Sequence, residues 1–387
     1  MSSQSVDWVR ERRINLMNIY HQETEWFTEP SVPDNTRAKI GESTADWLMA
    51  STLPYARAVR RAFNENLSSL PPSFQPIMFK ALQTRWGSAF LELVVARTLQ
   101  MLGASLIVEP ESSSGTRIDF EATFSDATVC VEAVSPVFNR QTQQIITNRN
   151  PLLHIIESLV PDNWMVLVAA LPNIGPSESK QEFKATTQRM LNISAKQDPS
   201  RSIEFVEEIS SGVIHLLLLP GRVDDRQIAG EPPIIWWDGS QGKIRQAVQR
   251  KRRQVRASSS PVLLAIGVSG PSTASLGDFD RALYGHEIAH LDSGNEMIIE
   301  FVRDGLFAKG VGDPTYAGVL AFPRMDRLPL ADPILYMHPR FGGNLPDAIL
   351  ELGQRVLDSA TSNVIEISPL KADIVENLCL FPIEAGA

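Results

Sequence analysis

Between Trp164 and Val268 the chain sets four short apolar runs against stretches with helical spacing, and that alternation leaves few folds open. The runs are Trp164 to Leu171, Val213 to Leu219, Ile234 to Trp237 and Val262 to Val268. They are short and rich in β-branched or aromatic residues, which marks buried strands. Lys180 to Ile193 and Gly242 to Arg256 carry the three-to-four spacing of helices between them. The last third adds expected strands at Tyr316 to Phe322 and Ile334 to Met337, then a helix near Asp347 to Ala360. The expectation is a mixed α/β fold built on one central sheet.

The chain begins differently. Trp8 to Tyr20 and Glu42 to Asn66 alternate apolar and charged residues at helical spacing, with a polar link holding Pro30 and Pro33 between them. Pro71-Pro72 marks a boundary, so residues 1–80 are expected to be a helical appendage to an α/β domain over 81–387. A helix from about Leu82 to Leu102 should stop at Gly103, which suits a left-handed cap. Ser105 to Glu109 reads as a short strand and Ser112 to Thr116 as a turn. Ile118, Phe120, Ala122 and Phe124 then alternate with Asp119, Glu121 and Thr123, the pattern of a half-buried strand. Ser125-Asp126 makes a hairpin turn into a second strand, Thr128 to Val134.

Composition narrows the function classes. No stretch approaches the roughly 18 consecutive apolar residues of a membrane helix, and MSSQSVDWVRERR has no apolar leader core, so a cytoplasmic protein with no membrane partner is expected. The two cysteines, Cys130 and Cys379, each sit in an apolar run and read as buried thiols of a reducing compartment. A net charge of -9 argues against non-specific coating of nucleic acid, while leaving room for a local basic groove. Phosphate-loop, nucleophile-elbow and C-x-x-C patterns are all missing.

Three acids stand out. Glu92 interrupts the apolar helix segment Phe90-Leu91-Glu92-Leu93-Val94-Val95. Asp119 opens one strand of the hairpin and Glu132 sits within the other, in Val129-Cys130-Val131-Glu132-Ala133-Val134. Carboxylates in near-buried strands are costly unless paired or bound to a cation. A hairpin that sets Asp119 beside Glu132 offers hard oxygen ligands suited to Mg²⁺ or Mn²⁺. Such an ion activates water and stabilises a phosphoryl centre during phosphodiester hydrolysis.

The order helix-Glu, glycine, strand, Gly115-Thr116-Arg117-Ile118-Asp119, turn, Val131-Glu132-Ala133 resembles the core of the PD-(D/E)XK nuclease superfamily. It is also similar to a group of uncharacterised bacterial proteins with further elements in the same order. Those elements correspond here to Ile244-Arg245-Gln246-Ala247-Val248 leading to Lys251, then Val262 to Ile266, Ala282-Leu283-Tyr284-Gly285 and Asp304-Gly305-Leu306-Phe307. The resemblance spans about Arg85 to Pro346. It implies a restriction-endonuclease-like central mixed sheet flanked by helices, with Glu92, Asp119 and Glu132 holding Mg²⁺ or Mn²⁺. The implied activity is cleavage of nucleic acid, DNA first, in host defence or mobile-element biology. Two positions depart from the pattern: Ile118 precedes Asp119 where proline is usual, and Val134 stands where the superfamily has its lysine. Lys251 is the first candidate to replace that lysine, with Arg140 and Lys184 behind it. If nothing replaces it, the expectation is a catalytically inactive nuclease-like binding module.

Two other signals compete for attention. Lys243, Arg245, Arg250, Lys251, Arg252, Arg253 and Arg256 crowd one acid-free helical stretch. Arg245, Arg250, Arg252 and Arg253 are the candidates for phosphate contacts, against the plainer reading of a solvated helix face. His286-Glu287-Ile288-Ala289-His290 matches the H-E-x-x-H zinc signature, which needs a helix to set both imidazoles on one ion. The helix expected over Asp278 to Tyr284 ends at Gly285, before the motif, so a zinc peptidase is the lesser alternative and loop histidines the plainer one.

Overall fold

The computed structural model describes residues 25–31, 43–110, 117–136, 140–161, 164–175, 178–194, 196, 201–221, 227–230, 240–255, 260–268, 274–291, 297–302, 305–307, 316–323, 325, 333–358 and 364–369. The candidate helix Trp8 to Tyr20, the run Ile234 to Trp237, Arg256 and Cys379 lie outside these residues.

The larger sheet grows outward from two strands with no polar face. β8 (Val262–Gly267) and β11 (Gly318–Phe322) are buried at every position, as parallel strands covered on both sides must be. β3 (Thr128–Val134) runs parallel to β8 on its other edge and pairs antiparallel with β2 (Phe120–Thr123), which pairs with β1 (Ser105–Val108). β12 (Ile334–Met337), β13 (Gly353–Leu357) and β14 (Val364–Ile367) complete the order β1-β2-β3-β8-β11-β12-β13-β14. The result is a mixed sheet flanked by helices.

Helices α1 (Thr44–Ala50), α2 (Pro54–Ser68), α3 (Gln75–Thr84) and α4 (Trp86–Met101) line one side of it. Nine residues of α4 are buried, from Ala89 to Leu99, because it lies between the preceding helices and the sheet. Phe27, Leu48, Phe63, Met78, Leu91, Phe120, Val131 and Leu263 belong to one apolar cluster, so the described helices before residue 80 share their core with the sheet. The approach is close where α4 crosses β8: a Cβ on Gly267 would lie 2.5 Å from Leu91 Cδ1. The end of α4 follows the sequence expectation. Gly103 has φ +96° and donates to Gln100 O, while Ala104 donates to Leu99 O, the paired bonds of a Schellman cap.

The opposite face carries α7 (Ser240–Val255) and α8 (Leu276–Leu283), packed through Ile244, Val248, Phe279 and Leu283 onto Cys130, Leu264 and Val319. Cys130 is buried, as expected. Ile118 joins this second cluster while Phe120, Ala122 and Phe124 join the first. The alternation expected over Ile118 to Phe124 thus breaks at Asp119, just before β2 begins.

A second sheet was not foreseen. Trp164 to Ala170 (β4), Ile203–Ile209 (β5), Gly212–Pro220 (β6) and Gln227–Gly230 (β7) form their own four-stranded sheet, ordered β5-β6-β4-β7. With α5 (Arg140–Leu159) and α6 (Gln181–Ser194) it encloses a separate core around Leu152, Phe183, Trp164 and Leu216. This unit occupies the connection between β3 and β8, where parallel neighbours require a long crossover in any case.

The far half of the large sheet is fastened by a mostly buried ion pair. Asp280 of α8 accepts from Arg355 Nε at 2.8 Å, with a second bond to Arg355 Nη2, and Arg355 also reaches Glu366. Tyr284 Oη lies 2.7 Å from the Arg355 carbonyl, closing the arrangement over β13. Removing one partner strands a buried charge, so Arg355→Met should lower unfolding free energy by about 3 kcal/mol, and adding Asp280→Leu should restore much of it. Urea unfolding of the three variants reads this directly; equal loss in single and double variants would assign the cost to packing.

Candidate functional site

The hairpin register Phe120↔Val131 brings Asp119 opposite Glu132. Glu132 lies on the face shared by Cys130 and Val134, and its side chain has no exposed surface. Its flanking partner on β8 is Leu264, so the carboxylate sits inside the sheet with strands on both sides. Each acid takes one backbone donor: Asp119 N–H donates to Glu132 Oε2 at 3.2 Å, and Ala133 N–H donates to Asp119 Oδ2 at 2.7 Å.

The remaining Glu132 oxygen, Oε1, accepts from Lys251 Nζ. The reason is visible in α7. Ile244, Ala247 and Val248 are buried at the spacing of one helix face, and Lys251 is the next residue along that stripe. Its aliphatic stem follows the apolar surface, and its ammonium ends on the acid. The residue singled out as a substitute for the missing lysine therefore lies at the carboxylate pair, while Val134 packs into the cluster under α7 and α8.

Glu92 comes from α4 and is held by an arginine that sequence reasoning passed over. Arg85, at the junction of α3 and α4, donates from Nη1 to Glu92 Oε1 at 2.5 Å and from Nη2 to Oε2 at 3.0 Å. The signal was present as an arginine and a glutamate seven residues apart, two helical turns along one face.

Burial, followed by the charge of Glu132, pushes the Asp119 carboxyl up to about 7, against the pull of the Ala133 N–H. Glu92 also raises both Asp119 and Glu132, so the three acids share one electrostatic neighbourhood. Burial raises Glu132 too, with Lys251 opposing. Among the described residues, Arg85 pairs with Glu92 and Lys251 with Glu132, and Asp119 has no ion pair of its own.

Among the described residues no three His, Cys, Asp or Glu side chains stand ready-made around a metal position. Asp119 and Glu132 are two adjacent hard-oxygen donors with their charges crowded, and Glu92 is turned to Arg85. One or two carboxylates completed by water and phosphate oxygens is an ordinary donor set for Mg²⁺, so the pair fits such an ion.

The other candidates scatter. Arg245 donates to the Arg281 carbonyl of α8 at 2.9 Å, which ties the two helices together. Arg250 and Arg252 are exposed on α7. Arg253 belongs to the same helix, with its side chain outside the described residues, as is that of Arg140 at the start of α5. Lys184 is exposed on α6, whose core is that of the second sheet. The H-E-x-x-H motif begins after α8 has ended, as expected, but lies in a strand rather than a loop: His286–Leu291 forms β9, paired antiparallel with β10 (Met297–Val302). In a strand, residues four apart are separated by about 13 Å, and the helical juxtaposition the zinc signature needs is lost. Compared with known proteins, the chain matches no family model, no curated protein and no solved structure.

Two outcomes follow from this geometry. Between its ordinary value of 3.8 and about 7, the folded protein holds a proton on Asp119 that the unfolded chain has released. Stability should therefore fall as pH rises through that window and level off above it, and Asp119→Asn should flatten the fall. Urea unfolding from pH 4.5 to 8 measures both slopes, and parallel slopes would count against the assignment. The strand geometry of the histidine motif also implies that metal analysis of the purified protein finds no stoichiometric zinc, before or after His290→Ala.

Proposed function

We propose that this chain cleaves phosphodiester bonds of nucleic acid with Mg²⁺ or Mn²⁺ held by Asp119 and Glu132, in a restriction-endonuclease-like arrangement of the large sheet. The observation that carries the reading is the contact of Lys251 with Glu132. A lysine from a helix more than a hundred residues away ends beside the two carboxylates, next to the position where the superfamily's own lysine is replaced by Val134. The mixed sheet with helices on both faces and the hairpin position of Asp119 support the same reading.

When bound, the ion supplies Lewis-acid stabilisation of the phosphate and makes a coordinated water more acidic. Asp119 and Glu132 would hold it, and its charge would offset their mutual repulsion. Lys251 Nζ, anchored on Glu132 Oε1, offsets negative charge as it builds on the phosphate in the transition state. Arg250 and Arg252, exposed on the same helix, grip neighbouring phosphates and position the strand without reading its bases. DNA is the first substrate to test, with RNA beside it.

One observation favours a second reading, an inactive nucleic-acid-binding module. Two of the three acids already have cationic partners, which is how a relic site would satisfy its buried charges.

Mn²⁺ should raise the thermal midpoint of the parent by ligand linkage, and Asp119→Ala should abolish that rise. With duplex DNA and single-stranded RNA as substrates, Lys251→Ala should reduce turnover ~10²-fold with little change in affinity, whereas Arg252→Ala should weaken affinity and its salt dependence. Binding without cleavage in Mg²⁺ and Mn²⁺ across several pH values selects the inactive module.

A further inference from the structure

The fork between Arg85 and Glu92 has no part in the chemistry just described, yet it occupies the third carboxylate of the site. Its two ends differ in exposure. The Arg85 side chain is 49% exposed and Glu92 only 14%, so the guanidinium is the outer partner and the carboxylate the inner one. The Arg85 backbone is fixed at both helix ends: its N–H donates to Ala81 O at 2.8 Å, and its carbonyl accepts from Ala89 N–H at 3.2 Å. Ser88 Oγ accepts a third bond from Nη1 at 3.0 Å. Any rearrangement at this residue is therefore one of side chain alone.

We propose that Arg85 is a latch on the cation site. It withholds Glu92 in the cation-free protein and, when a divalent cation enters, exchanges that carboxylate for a phosphate oxygen of the nucleic-acid backbone. The inference rests on the reading of Asp119 and Glu132 as a divalent-cation site. It stands on the Arg85–Glu92 fork and its difference in exposure, together with the charge around it. Glu92 already bears electrostatically on Asp119 and Glu132, so it lies within the field of an ion placed on them. Released without a cation, it would face two further carboxylates from a mostly buried position, which keeps the fork closed. An incoming divalent ion reverses that sign, and Glu92 gains by turning to it. The freed guanidinium presents two parallel donors at an exposed position, and a phosphate offers the same pair of acceptor oxygens as a carboxylate. Cation entry and phosphate capture are thereby coupled through one side chain.

The test needs no turnover. Mn²⁺ affinity is measured by calorimetry on the parent, Arg85→Gln, Arg85→Lys and the double variant Arg85→Gln/Glu92→Gln. Arg85→Gln should tighten Mn²⁺ about ten-fold by freeing Glu92, Arg85→Lys should fall between, and the double variant should lose the gain. In duplex DNA binding with Mn²⁺ present, Arg85→Gln should flatten the slope of log affinity against log salt by about 0.9, one phosphate contact. Unchanged or weaker Mn²⁺ binding in Arg85→Gln, with the parent binding normally, overturns the latch and leaves the cation site standing. No Mn²⁺ binding in either protein overturns both, whereas binding gained only in Arg85→Gln supports the latch. If Arg85→Gln fails to fold, Glu92→Gln reads the contact from its other side. It should weaken Mn²⁺ and release Arg85 to phosphate even without the cation, and an unchanged Mn²⁺ affinity overturns the proposal.

Discussion

Glu132 carries a carboxylate with no exposed surface into the middle of a sheet, and much of the surrounding structure can be read as the consequence. Such a charge is tolerated only with a partner and well-placed donors. One donor is local, the Asp119 N–H across the hairpin. The cation comes from Lys251, and Lys251 reaches it only because α7 lies flat on the sheet through Ile244 and Val248. That packing depends in turn on β8 lying parallel to β3, since β8 supplies the apolar surface under the helix. One ion pair thus links the hairpin, the central strand and a helix distant in sequence.

The parallel pairing of β3 and β8 also explains how the chain accommodates a second sheet. Parallel neighbours need a crossover, and lengthening a connection adds closure entropy only slowly. The inserted unit keeps its own core around Leu152, Phe183 and Leu216, so it does not draw apolar side chains from the large sheet. The other side of that sheet is closed by α4, buried over most of its surface, with Glu92 as its polar interruption and Arg85 as the residue that compensates it.

Charge balance at the site follows from the same geometry. Glu132 and Glu92 each have a cation in contact, whereas Asp119 is held by a backbone donor and feels two other acids more strongly than it feels Lys251. Burial, followed by the charge of Glu132, pushes its carboxyl up to about 7. On the proposed reading, a cation arriving at the pair would relieve the crowding of these two charges.

The sequence by itself determined the local elements: the α4 helix and its stop at Gly103, the hairpin, the buried strand β8, and a basic helix carrying Lys251. Each is written in short-range periodicity or in one residue's conformational freedom. It also marked Glu92, Asp119 and Glu132, because acids amid apolar residues are visible without coordinates. Only the tertiary structure decided which sheet each strand joins, since a period of two says nothing about partners, and β4 and β6 therefore looked like parts of the same sheet as β8. It also decided that His286 to His290 is a strand, because pairing with β10 overrides a five-residue pattern that a helix could equally carry. Last, it brought Lys251 onto Glu132, a contact set by the packing of a helix against a sheet and by no spacing that the chain alone displays.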